Sequence, residues 1–233
     1  MKFGTLTFLT TLTLVGVPAI PVHLAAQSAS SEITIFDAPG AGTAPGSGFG
    51  TFPTSINDGG SITGHYTDAN NVNHGFLRTP GGKFITFDAP AAGTAPGSGS
   101  GTLPTSINDG RTITGHYNDA NNVNHGFLRA PGGKFITFEA PGAGAAPGSG
   151  FGTFPTSISS GGIVTGHYVD ANNVNHGFLR TSGGEFTTFE APGAGSAAGS
   201  GSGTLPSSVN DTGAIVGHYT DAHSVNHGFL RNP

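Results

Sequence analysis

Histidine is the residue type in this sequence best suited to chemistry. Eight of the ten histidines fall at two recurring positions: His65 and His74, His116 and His125, His167 and His176, His218 and His227. Paired imidazoles at fixed spacing are the raw material of a zinc centre or of acid–base catalysis. A zinc site needs three or four donors converging on one point. The two histidines of one unit lie on neighbouring strands in a register that turns them to opposite faces, so one unit cannot supply two ligands. The reading is structural: the rings bond to strand or turn backbone and fill the space over glycine. No metal and no cofactor are expected.

Asp68-Ala69-Asn70-Asn71 is the second candidate, repeated with Asp119, Asn121 and Asn122, with Asp170, Asn172 and Asn173, and with Asp221. Clustered oxygen donors could hold calcium, but the segment lacks the sixth-position glycine and the distal glutamate of an EF-hand loop. Asp68 is therefore expected to cap its own turn. The same amides and carboxylates can hydrogen-bond sugar hydroxyls, and Phe49 and Phe151 in the adjoining loops can stack on a sugar ring. These residues are the expected ligand-binding set. The chain has no cysteine, and it has no nucleophile elbow, H-E-x-x-H or P-loop. Asp37, Asp88, Glu139 and Glu190 are carboxylates at equivalent positions, expected to cap the loops that follow them. No catalytic residue is assigned.

These residues are placed by a repeat. His74-Gly75-Phe76-Leu77-Arg78 returns at His125, His176 and His227, in steps of 51 residues. A fixed period of this size marks units that bury their apolar surface against their neighbours. Within the first unit, β-branched and aromatic runs predict four short strands, over 54–57, 61–67, 72–78 and 83–88, separated by Asp-Gly-Gly, Asp-Ala-Asn-Asn and Pro-Gly-Gly turns. Asn71, in a left-handed conformation after a type I turn, sets the register. It pairs Asp68 with Val72, Tyr66 with His74, His65 with Gly75 and Gly64 with Phe76, so each glycine faces a large ring. Apolar residues on both faces imply sheets sandwiched between sheets.

Four strands in about 50 residues match a β-propeller blade. The expected fold is all-β, a four-bladed propeller. Residues Ile33–Pro39 read as a fourth strand without a blade, and Val225–Arg231 as a third strand without a fourth; their pairing would close the ring. An open β-solenoid is the alternative. Phe, Leu, Phe and Leu at 52, 103, 154 and 205, with Phe, Ser, Phe and Ser at 49, 100, 151 and 202, relate the first repeat to the third and the second to the fourth.

Only 9% of residues are charged and the net charge is −5, which argues against a phosphate-binding surface and hence against a nucleic-acid partner. Residues 1–26 read as a signal peptide, with basic Lys2, an apolar stretch and small residues before Gln27. The repeat domain occupies 32–233. No other run is long and apolar enough to span a membrane. A secreted, extracellular location follows.

The Ser-Ile-Asn, Ile-Thr-Gly-His-Tyr, Asp-Ala-Asn-Asn-Val-Asn-His-Gly-Phe-Leu-Arg and Phe-Ile-Thr-Phe-Asp-Ala-Pro segments resemble the bacterial extracellular repeats of the HAF family, over nearly all of the chain after the leader. The motif here is His-Gly-Phe, and Asn71, Asn122, Asn173 and Ser224 stand where that family usually has glycine. The resemblance implies secretion and a propeller-like fold. It brings no established activity and no catalytic residues.

The function expected from all of this is a secreted non-catalytic module that binds multivalently. Its partner would be an extracellular or cell-envelope glycan, met on the end of the molecule that carries the Asp/Asn turns and Gly-rich loops. A secreted polysaccharide hydrolase or lyase, and a structural surface protein that self-associates, are the alternatives.

Overall fold

The computed structural model describes residues 33–46, 49–96 and 101–233. The chain divides into two compact units, Met1–Ile35 and Phe36–Pro233. Of the first unit only residues 33–35 are described; they form no regular element and are exposed. The expected signal peptide lies outside the described residues. Among the described residues no helix is long and apolar enough to cross a membrane.

The second unit is all-β. The first repeat contains β1 (Gly50–Ile56), β2 (Ile62–Thr67), β3 (Asn73–Arg78) and β4 (Phe84–Phe87). The second contains β5 (Thr102–Ile107), β6 (Ile113–Asn118), β7 (Asn124–Arg129) and β8 (Phe135–Phe138), and the third β9 (Gly152–Ile158), β10 (Val164–Val169), β11 (Asn175–Arg180) and β12 (Phe186–Phe189). The fourth has β13 (Gly203–Val209), β14 (Ile215–Thr220) and β15 (Asn226–Arg231). Each repeat is an antiparallel meander in chain order.

The expected β2–β3 register is the observed one: Gly64 pairs with Phe76, His65 with Gly75 and Tyr66 with His74. Asn71 has a φ of 60°, and the Asp68 amide donates to the Val72 carbonyl at 2.9 Å. The space beside Gly64 is filled differently from expectation. A Cβ there would lie 2.2 Å from the Phe52 carbonyl oxygen and 2.7 Å from Pro53 Cα, so the β1 backbone takes the space first. That strand bulges between Pro53 and Ser55, at the edge of the meander, where proline costs no ladder bond.

The bulge also builds the contact between repeats. The Thr54 hydroxyl, released from the ladder, donates to the Pro104 carbonyl at 2.9 Å, and Thr105 and Thr156 donate to Pro155 and Pro206 in the same way. Single-residue parallel bridges join Asn73 to Gly101, Asn124 to Gly152 and Asn175 to Gly203. Gly152 has a φ of 130°, and a Cβ on it would sit 1.9 Å from the Asn124 oxygen, so only glycine permits this approach. Apolar contacts complete each junction. Leu77 of the first repeat packs with Ile107, Ile113 and Phe127 of the second, and Leu128 of the second with Ile158, Val164 and Phe178 of the third. Arg129 lies over the Phe87 ring at 4.5 Å, and Arg180 over Phe138 at 4.9 Å.

The expected ring closure is not formed. Residues 33–38 adopt no strand, and β15 has β14 as its neighbour. Phe36 packs on the first repeat instead, beside Phe84 and under Arg78, the place that Phe87 takes on the second. The two outward faces are open: Ile56 is 64% exposed and Leu230 63%, against 5% for Ile107 and 3% for Leu77. An open array of repeats is compatible with this arrangement.

Candidate functional site

The Asp/Asn turn is built by its own side chains. Asp68 Oδ1 accepts hydrogen bonds from the Asn70 and Val72 amides, both at 2.9 Å, and Oδ2 accepts from Asn70 Nδ2 at 3.3 Å. Asp119 with Asn121, and Asp170 with Asn172, repeat these contacts; Asp221 holds the amides of His223 and Val225. Burial opposes ionisation of Asp68, Asp119 and Asp170, but the amide donors outweigh it and keep these carboxyls below their usual range. The aspartates thus cap their turns, as expected, and Asn70, Asn121 and Asn172 remain exposed at the tips. Asn71, Asn122, Asn173 and Ser224 hold the left-handed position.

The Gly-rich loops are fastened to these turns. Between the second and third repeats, Gly148 and Gly150 donate to the Asn121 and Asn122 carbonyls at 2.6 and 3.1 Å. Six residues earlier in that loop than Gly150, Gly144 donates to the Val169 carbonyl at 2.8 Å, beside the next turn. Gly199, Gly201 and Gly195 repeat the pattern one repeat later, on Asn172, Asn173 and Thr220. One loop therefore bridges two turns and fixes their spacing. Asn124 Nδ2 and Asn175 Nδ2 add bonds to the Gly150 and Gly201 carbonyls at 2.6 Å. Sequence reasoning missed these asparagines; their recurrence immediately before each His-Gly-Phe was the available signal. Phe49 and Phe151 are half-buried, packed over Gly42 and Gly144, and so form part of this end rather than standing free of it. The loop between the second and third repeats offers neutral residues outward, Ala145, Ala146 and Pro147, while Asp88, Glu139 and Glu190, near the turns, are about half exposed.

The histidines divide into two sets. His74, His125 and His176 stack on Tyr66, Tyr117 and Tyr168 at 4.8–5.0 Å between ring centres. Each ring stands between two carboxylates. His74 has Asp68 at its Nε2 (3.6 Å) and Asp88 at its Nδ1 (2.9 Å); His125 has Asp119 and Glu139, and His176 has Asp170 and Glu190. The partners are side-chain carboxylates, not the backbone groups expected. Both nitrogens of each ring face carboxylate oxygens. Asp88, Glu139 and Glu190 are thus engaged with histidine, and the loop amides after them bond instead to Thr102, Thr153 and Thr204. In the fourth repeat His227 has, among the described residues, Asp221 alone, at 3.4 Å.

His65, His116, His167 and His218 form the second set. His65 stacks on Phe52 and His167 on Phe154, both at 5.0 Å, while His116 lies 5.1 Å from Phe154 of the following repeat. Phe154 thus serves the rings of two repeats, while Phe52 stacks on His65 of its own repeat. Nδ1 of His65, His116 and His167 is buried without a hydrogen-bond partner among the described residues. Burial, with the neighbouring imidazoles adding repulsion, pulls His116 and His167 down to about 4, and burial lowers His65 as well.

Among the described residues, no group of three or more His, Asp or Glu side chains is arranged to hold a metal ion. At the opposite end from the Asp/Asn turns, a cavity of about 280 Å³ is lined by the β1–β2 turn and its equivalents in all four repeats. Asn57, Asn108 and Asn210 line it with Asp58, Asp109 and Asp211, and the third repeat contributes Ser159 and Ser160. Asn57 Nδ2 donates to the Asn108 carbonyl and Asn108 Nδ2 to the Ser159 carbonyl, so these amides link repeats. No family model matches this chain, and no curated protein matches it.

Proposed function

We propose that this protein is a secreted, non-catalytic module that binds an uncharged polar polymer, an extracellular or cell-envelope glycan, through the end that carries the Asp/Asn turns. The observation behind this reading is the fastening of the two Gly-rich loops between the second and third and between the third and fourth repeats, each to two successive turns, by the same backbone hydrogen bonds. It fixes the spacing of the turns that carry the exposed Asn121 and Asn172 amides, and Asn70 stands at the equivalent exposed turn of the first repeat. Weak contacts repeated on such a scaffold add by avidity when the ligand itself repeats. The neutral loops and scarce charge suit a neutral ligand better than an anionic one. The resemblance to HAF repeats supports the extracellular setting and a propeller-like relation between repeats.

A glycan-array screen of the 233-residue chain tests this. A defined polysaccharide should be retained, and the combined Asn70→Ala, Asn121→Ala and Asn172→Ala variant should lose more than the single changes together. No retention on any glycan would overturn the reading. Depolymerisation of the retained polysaccharide would replace it with that of a hydrolase or lyase.

A further inference from the structure

The two outward faces of the array are the two halves of the junction that recurs three times within it. We propose that copies of this chain associate head to tail, the fourth repeat of one seating on the first repeat of the next. The proposal is independent of the glycan reading.

Four features of the outward faces match the internal junctions. Leu230 is exposed where Leu77 and Leu128 are packed on the following repeat. Ile56 is exposed where Ile107 and Ile158 receive those leucines. Together with Phe36, Pro53 and Ile62, Ile56 lines an apolar hollow of about 330 Å³. Gly50 keeps a φ of 139°, like Gly101, Gly152 and Gly203 at 126–131°, yet among the described residues nothing lies within 4 Å of its Cβ position. Its three equivalents each receive an asparagine backbone at that point, and the equivalent asparagine on the last face, Asn226, is exposed. The first face therefore already has the backbone shape of a junction that it does not make internally.

The last face has a matching slot. Gly75, Gly126 and Gly177 are each covered by a phenylalanine ring, Phe87, Phe138 or Phe189. Nothing but a carbonyl oxygen at 4.0 Å approaches Gly228. Phe36 already sits on the first repeat as Phe87 sits on the second, under the corresponding arginine. In the head-to-tail contact its ring covers Gly228 of the neighbouring copy, as Phe87 covers Gly75. A second copy is the occupant because the complement of each face is a surface that this chain itself carries. Such a contact is heterologous, so it propagates or closes a ring of copies.

Light scattering on the 233-residue chain, with mass measured against concentration, tests this. The weight-average mass should rise above 23.2 kDa with concentration. Ile56→Lys and Leu230→Lys each place a charge at an exposed position, and each alone should hold the chain at monomer mass. Mixed together, the two variants should give a one-to-one dimer and nothing larger, since each keeps the face that the other lacks. A mass that stays monomeric at every concentration, as closure of each chain on itself would give, overturns the proposal. Association that survives both substitutions, or a mixture that stays monomeric, overturns it equally.

Discussion

Leu77 and Leu230 both follow the same His-Gly-Phe triplet, and Gly50 and Gly152 both open the same strand of their repeats. Inside the array these residues are enclosed: Leu77 lies in the first apolar cluster, and Gly152 touches the Asn124 backbone. On the outward faces Leu230 meets solvent and Gly50 meets nothing among the described residues. The comparison separates what a repeat does for itself from what it does for its neighbour. Turn capping, register and the Tyr–His stack are present in the fourth repeat as in the others, so they are local. Enclosure of leucine, of the bridge glycine and of the second carboxylate on histidine depends on an adjacent or completed sheet.

Substitutions at the bridge glycine should show the largest contrast. Gly152→Ala forces its new carbon into the Asn124 carbonyl and should cost more than about 3 kcal/mol. Gly50→Ala meets only its own backbone strain, about 1–2 kcal/mol. Denaturation midpoints in urea check this; equal losses would show that the bridge adds nothing beyond strain. Next comes the leucine pair. Leu77→Ala leaves a cavity and should cost about 2–4 kcal/mol, whereas Leu230→Ala in dilute solution should stay within about 0.5 kcal/mol.

Acid should then loosen the junctions. The folded chain holds His116 and His167 down at about 4, below the ordinary histidine value of 6.5. Between those values the unfolded chain binds more protons, so stability rises with pH across about 4 to 6.5 and is level above it. Allowing for partial exposure of the rings, each should contribute about 1–2 kcal/mol of that rise. Melting temperatures measured through this range should flatten in His116→Gln; an unchanged slope would place the acid sensitivity elsewhere. The smallest contrast concerns the carboxylate pairs. His125→Gln should cost no more than about 1 kcal/mol, because Glu139 is about half exposed, and His227→Gln should cost still less. Thermal melts of the two variants would reverse this order only if Asp221 alone held its histidine as firmly as the paired carboxylates do.

The register of β2 and β3 was legible because an asparagine suited to a left-handed turn and a glycine opposite a ring leave one good pairing. The turn-capping aspartates were legible for the same reason: their partners lie two and four residues away. The histidine partners were not. Asp88 lies fourteen residues from His74 and meets it only because β3 and β4 pair, and no spacing rule names a carboxylate across two strands. The Phe/Leu alternation was visible as a pattern, but the sharing of Phe154 by His116 and His167 is a contact between sheets.

The sequence by itself determined the period, the all-β class, the turns and the register, because these follow from contacts a few residues apart and from alternation along a strand. It also held the complementarity of residues 33–39 and the last strand, from which a closed ring was expected. Only the tertiary structure decided that Phe36 lies on the first repeat and that both outward faces stay open. The reason is geometric: whether a series of repeats closes depends on the angle and rise at each junction. Those are set by the packing of Leu77 on Ile107 and of Asn124 on Gly152, between sheets, where sequence spacing carries no information.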